Sequence, residues 1–267
     1  MSDQRTSSKG LRISRQQLST RDLEVIQKVF ELRLMSTRQI EAVYFDIEDY
    51  ASALSAARSC RRVLAGLTRD RLLVRLDRRV GGVRAGSASY IYALGPVGHR
   101  MLETAGNRPR FREPTTTFVD HTLAVTQLVV DVTLASRVGA FEILSCQSEP
   151  RCWREFSGLG GPMFLRPDLF LALGVGDYEM RWFVEIDMGS EHLPVLLRKC
   201  HIYDAYYRSG KEQATHGVHP QVCWIMPEEK RAERLQAAIA GDLRLTKALF
   251  VTTTFEQALS TLSGGGS

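Results

Sequence analysis

The sequence predicts an α/β protein of two domains: a helical domain closed by a β-hairpin, then a larger domain built on a mixed sheet. Three observations predict it. The chain has 267 residues, more than one ordinary domain of roughly 100–150 residues needs. Hydrophobic residues make up 44% and charged residues 24%. That balance excludes a disordered, collagenous or disulfide-scaffold chain. Charge is unevenly spread: residues 1–113 hold 21 Lys and Arg against 12 Asp and Glu, and residues 114–267 hold 14 against 18. The basic half is almost all arginine, whose fork suits phosphates and base edges, so it points to a polyanion.

Residues 1–18 read as a disordered basic tail and 19–106 as the first domain. Ser19-Thr20 opens an apolar-periodic run through Leu23, Ile26, Val29, Phe30 and Leu34, with Thr20 and Glu24 as its cap. Ser36-Thr37 opens a second helix with Ile40, Val43 and Phe45. A third helix covers about 51–67. Ala53, Ala57, Cys60, Leu64 and Leu67 fall on one face, and Arg58, Arg61, Arg62 and Arg69 on the other. LLVRL (72–76), a Gly/Arg-rich turn and SYIYAL (89–94) make a hairpin, which Gly95-Pro96 ends before a short helix through Met101 and Leu102.

Three helices followed by a hairpin is the order of a winged helix-turn-helix, with the third helix for the major groove and the hairpin as wing. Arg75, Arg78, Arg79 and Arg84 on the hairpin extend the basic surface of the third helix. The plainer reading is a set of solvated charges on a helical core. The arginines, rather than the fold, carry the expectation of double-stranded DNA as partner.

A linker spans 107–117, a second domain 118–262, and a flexible tail 263–267. The second domain opens with a helix over about 121–135, then strands FEILSC (141–146), PDLFLAL (167–173) and MRWFVEID (180–187). A helix over 194–208 has Pro194 in its first turn. QVCWIM, EKRAERLQAAIA, ALFVTT and FEQALSTL add strand, helix, strand and helix, completing an α/β sandwich. If 167–173 and 180–187 pair, Leu173 faces Arg181 and Asp168 lies beside Ile186, close to Glu185 and Asp187. Those two acids share a strand face.

Acids among Phe, Val and Ile are costly to bury unless paired or bound to a metal. Asp168 and Glu185 are therefore candidate ligands for Mg²⁺ or Mn²⁺. Mg²⁺ takes one or two carboxylates plus substrate oxygens. Such an ion polarises a phosphate and activates water. Lys199 falls on the helix face of Val195, Leu196, Tyr203 and Tyr206, from which it reaches the acids or else snorkels to water.

The order PD, E-x-D, K-x-x-x-Y, at Pro167-Asp168, Glu185-Ile186-Asp187 and Lys199 to Tyr203, resembles the PD-(D/E)XK nuclease-like superfamily. The whole chain resembles more closely the replication-relaxation family of bacterial plasmids and mobile elements. The stretches that carry this are YIYALGPVGHRML, HTLAVTQLVV and PDLFLAL…FVEIDMGSE…LLRKCHIYDAYY, within roughly residues 20–210. The resemblance implies a winged helix before a restriction-endonuclease-like α/β domain, with Asp168, Glu185, Asp187 and Lys199 as the catalytic set. One position departs from the superfamily: its lysine two residues after the strand acid is here Asp187. Either Lys199 replaces that lysine from the helix, or the core is a non-catalytic remnant.

Other chemistries lack their motifs. Five scattered cysteines without Cys-x-x-Cys read as free thiols and no structural zinc. His216 and His219 read as surface histidines, and Cys200-His201 as neighbours facing apart rather than a nucleophile and base. No P-loop or dinucleotide fingerprint is present. The absence of an 18-residue apolar run and of a secretory h-region leads to the expectation of a cytoplasmic chain without a membrane partner. The expected function is DNA binding in replication, relaxation or transfer of a plasmid or mobile element. Replication or transfer proteins and a second copy of the chain are further candidate partners. The alternatives are a metal-dependent nickase or endonuclease, and a non-catalytic transcriptional or copy-control regulator.

Overall fold

Serines start the first three helices. In the computed structural model, which describes residues 18–76, 89–102, 115–158 and 161–265, α1 is Thr20–Leu32, α2 Thr37–Tyr44 and α3 Ala53–Arg69. Ser19, Ser36 and Ser52 each accept a hydrogen bond from the backbone N–H three residues on. The side-chain oxygens of Asp22, Gln39 and Ser55 in turn accept one from the cap's own N–H. The first cap is thus Ser19 with Asp22 rather than Thr20 with Glu24, because a capping box closes at a spacing of three. Val25, Ile26 and Val29 of α1, Ile40 of α2, and Cys60, Leu64 and Leu67 of α3 are buried. Ala56, not Ala53, completes the inner face of α3; Ala53 sits in the first turn and is exposed.

A three-stranded antiparallel sheet accompanies these helices: β1 (Leu34–Ser36), β2 (Leu73–Leu76) and β3 (Ile91–Leu94), in the order β1-β3-β2. Strand β1 is absent from the sequence reading. Arg33, at φ 67, ends α1 and turns the chain into it. The helix α4 (Pro96–Leu102) begins hard against the entry to β2. A Cβ on Gly95 would lie 2.3 Å from the Arg71 carbonyl oxygen, and one on Gly98 would lie 2.4 Å from that of Leu72. Glycine is required there by close backbone approach.

Helix α5 (Thr116–Arg137) follows, and the chain divides into two compact units within it, between Val130 and Asp131. Its first half belongs to the first unit. Val119 and Leu123 pack with Leu34, Leu76 and Ala93, and the Thr126 hydroxyl donates to the Leu34 carbonyl at 2.8 Å. The sequence instead placed the boundary at 107–117, of which only 115–117 are described residues. By length and composition alone α5 could cross a membrane, although the sequence lacks an unbroken apolar run. Its buried residues and the Thr126 bond give it a place in a protein core.

The second unit is an α/β structure on a mixed five-stranded sheet. The strands are β4 (Glu142–Ser148), β7 (Leu169–Val175), β8 (Tyr178–Ile186), β9 (Gln221–Met226) and β10 (Phe250–Thr254). Their order is β10-β9-β8-β7-β4, with β8, β9 and β10 parallel and β4, β7 and β8 antiparallel. A separate hairpin joins β5 (Arg154–Gly158) to β6 (Gly161–Leu165), where the sequence reading has only a long polar stretch. The helices are α6 (Leu193–Arg208), α7 (Lys211–His216), α8 (Glu229–Gly241) and α9 (Ala258–Leu262).

One core gathers Phe170, Ala172, Phe183, Val222 and Trp224 of the sheet with Leu196, Tyr203 and Tyr206 of α6 and Leu235 and Ile239 of α8. Each large apolar side chain buried there contributes about 1.5–3 kcal/mol. Alternation along β7 and β8 therefore places residues 168, 170 and 172, and 183, 185 and 187, on the face that α6 and α8 cover.

Candidate functional site

The register of β7 and β8 sets the site, and it differs by one residue from the sequence expectation. Ala172 pairs with Arg181, Leu173 with Met180, and Leu169 with Val184. The tight turn at Gly176-Asp177, with Gly176 at φ 57, fixes this register. One step further along, Asp168 falls across from Glu185 rather than Ile186. Asp168 lies past the end of the β7 ladder, and its Oδ2 accepts the Ile186 N–H at 2.7 Å. The carboxylate takes the place of a backbone carbonyl and is held at the edge of Glu185.

Glu185 is 2% exposed. Tyr203 of α6 donates its hydroxyl to Oε1 at 2.7 Å, and Lys199, one turn earlier, donates to Oε2 at 3.3 Å. Lys199 keeps 39% of its side chain in contact with water and lies 3.9 Å from Glu191. Burial, then the charge of Asp168, pushes the Glu185 carboxyl up to about 8 against the pull of Lys199 and Tyr203. Burial acts to lower the Lys199 ammonium, but the carboxylates of Glu185, Asp168 and Glu191 outweigh it and raise it. These two shifts pull against each other in part, since Glu185 adds to the raising of Lys199 only when it is ionised. The upward direction for Glu185 stands, because its carboxyl is enclosed while the lysine reaches solvent. Burial and Glu185 together hold the Tyr203 phenol well above its ordinary range.

Asp187 takes a different partner. Its backbone N–H extends the ladder to the Ile225 carbonyl at 2.9 Å. Its carboxylate is gripped by Arg231 of α8, through Nε to Oδ2 and through Nη2 to Oδ1 at 3.1 Å. Arg231 also donates to the Glu191 carbonyl, which ties the β8–α6 loop to α8. The forked pair raises the Arg231 guanidinium, mainly through its bond to Asp187. The structure thus brings Asp168, Glu185 and Lys199 together and commits Asp187 to an arginine that the sequence reading did not single out. Among the described residues no three His, Cys, Asp or Glu side chains converge as a metal cage. The donors that remain, Asp168 and Glu185, are two carboxylates on adjacent strands. Two is the number a hard divalent cation takes when water and substrate phosphate supply the rest.

On α3, Arg58, Arg61, Arg62 and Arg69 are all exposed, on the side away from Cys60 and Leu64. Leu54, 67% exposed, lies on the same stripe one turn before Arg58. Arg69 pairs with its neighbour Asp70 at 3.2 Å. Arg75 of β2 is exposed and stacks its guanidinium 4.3 Å from the centre of the Tyr90 ring. Arg78, Arg79 and Arg84 lie outside the described residues.

The remaining candidates resolve as structural. All five cysteines are free. Cys200 is buried while His201 pairs with Asp242 at 2.9 Å, so the two face apart. His219 is half-buried rather than fully exposed: the rings of Phe183, Tyr206 and Tyr207 pack against it, and burial lowers its pKa. His216 is exposed and pairs with Glu212 at 3.7 Å, one helical turn earlier.

A family model described as replication-relaxation matches residues 26–222, which cover both α3 and the acid site. No curated protein and no solved structure matches the chain significantly.

Proposed function

The chain belongs to the replication-relaxation family, and we propose that it binds the DNA of a plasmid or mobile element and acts in its replication, relaxation or transfer. In this reading residues 19–102 form a winged helix-turn-helix. The order of α1, α2, α3 and the β2–β3 pair supports it, as do the exposed arginines on one face of α3. The second unit is a PD-(D/E)XK-like domain. Its mixed sheet and the placing of Asp168, Glu185 and Lys199 on one covered face support that assignment.

The observation that carries the proposal is the facing pair of Asp168 and Glu185 with Lys199 beside it. The raised carboxyl of Glu185 and the like charge across from it fit a divalent cation, Mg²⁺ or Mn²⁺, better than they fit an empty core. Such an ion, when bound, supplies Lewis acidity to a phosphate oxygen and lowers the pKa of its water. Tyr203 fixes the orientation of Glu185 from the buried side. Lys199, which reaches solvent, would replace the superfamily's strand lysine from the helix and hold a phosphate oxygen. Arg231 withdraws Asp187 from ligation and locks the loop behind the site.

A second reading, a non-catalytic regulator, has its own support. The Lys199–Glu185 and Arg231–Asp187 pairs satisfy the acids without an ion. Titration of duplex DNA with the full chain, with Mg²⁺ and with EDTA, separates the two when read for both retention and cleavage. The proposal expects retention in both conditions and cleavage with Mg²⁺ alone. Retention without cleavage in either favours the regulator, and no retention overturns both.

A further inference from the structure

We propose that Trp153, Phe164 and Arg166 form a stacking platform for an unstacked base of single-stranded DNA, beside the acid pair; the choice of DNA as ligand rests on the reading above. The β5–β6 hairpin turns one face inward, where Phe156 and Leu165 join the core. Alternation turns Phe164 the other way, and it is 49% exposed. Arg166 is exposed too, and its guanidinium lies 4.9 Å from the centre of the Trp153 ring and 5.7 Å from that of Phe164. A flat cation held against two aromatic rings is a surface on which bases stack, whatever their sequence.

Position argues for the same ligand. Arg166 precedes Asp168 by two residues. The turn that carries Trp153 is strapped to the same segment, because the buried Cys152 thiol donates to the Pro167 carbonyl at 3.0 Å. Trp153 Nε1 also donates to Glu149 at 3.4 Å, which limits the freedom of its ring. The platform is therefore held to the backbone that delivers Asp168.

The charge around it selects between strands. Glu155 pairs across the hairpin with Phe164 and is exposed. Glu155 and Lys211, whose ammonium donates to the Glu155 carbonyl at 2.6 Å, offset each other, so a duplex laid along this face gains little from charge. A flipped or single-stranded base offers its face to the rings and to the flat guanidinium of Arg166. Base stacking, rather than counterion release, would supply the affinity.

The test uses the full chain in EDTA and compares three labelled ligands: an oligo-dT strand, an abasic strand of equal length and a duplex. Phe164→Ala and Arg166→Ala should weaken oligo-dT binding about 5- to 100-fold. They should leave the abasic strand and the duplex within about twofold, and Phe164→Trp should restore oligo-dT binding by returning a stacking ring. Wild-type chain that prefers oligo-dT no more than the abasic strand overturns the platform, as does an unchanged Phe164→Ala. An equal loss on both strands also overturns it, since it would mark a charge effect or misfolding. The DNA reading itself fails separately, through loss of wild-type duplex binding. A partner protein on this face would give the unchanged result.

Discussion

Glu185→Gln should make the protein more stable at pH 8 and remove a pH dependence that the wild type carries. The Glu185 carboxyl titrates near 4.5 in the unfolded chain and near 8 in the folded one. Between those values the folded state keeps a proton that the unfolded state has released. Raising the pH through this window therefore favours unfolding. At about 1.4 kcal/mol per pH unit, the window of about three and a half units has a ceiling of roughly 5 kcal/mol. Glutamine keeps an oxygen for the Tyr203 hydroxyl and never takes up a charge against Asp168, but above the window it cannot pair with Lys199 as an ionised Glu185 does. Urea denaturation in EDTA at pH 5, 6.5 and 8 should show wild-type stability falling with pH and a flatter profile for the variant. Parallel profiles would refute a buried, protonated Glu185.

Arg231→Ala should cost about 3–5 kcal/mol, because it strands a buried Asp187 carboxylate; Arg231→Lys, which lacks the fork, should recover only part of it in the same denaturation assay. Tyr203→Phe should cost about 1–3 kcal/mol by removing a donor from enclosed Glu185. Gly95→Ala should unfold at lower urea, since its methyl meets the Arg71 carbonyl; wild-type stability would refute the close approach. Combined Arg58→Ala, Arg61→Ala and Arg62→Ala should lower the log–log salt slope of duplex binding by about 0.9 for each phosphate that is no longer neutralised, and an unchanged slope would remove α3 from the DNA interface.

The parts of this molecule written in local sequence were legible. The arginine face of α3 follows from spacing at 3.6 residues per turn behind a serine cap, and Lys199 with Tyr203 follows from i, i+4. The parts set by long-range pairing were not. A three-residue strand such as β1 is too short to show alternation, and its pairing with β3 is decided by residues nearly sixty positions away. The one-residue register difference between β7 and β8 comes from turn geometry at Gly176, which hydrophobic pattern alone does not fix. It moved Asp168 from beside Ile186 to across from Glu185.

Arg231 was missed because its partner lies 44 residues upstream. A signal existed: Ala232, Leu235 and Ile239 form the buried stripe of α8, and Arg231 borders it at the end where the strands finish. The β5–β6 hairpin hid behind glycine, proline and charge, with Phe156 and Leu165 as the buried residues among those described. His219 read as exposed because nothing local shows that three rings pack against it.

Calorimetric titration of Mn²⁺ into the full chain tests the acid pair most directly. One ion should bind per chain, and Asp168→Ala should abolish it. Since Glu185 must release its proton to ligate, affinity should rise about tenfold per pH unit between pH 6 and 8, with about one proton released per ion. Wild-type chain that takes up no Mn²⁺, or binding of equal strength in Asp168→Ala, would contradict the metal-dependent site at Asp168 and Glu185.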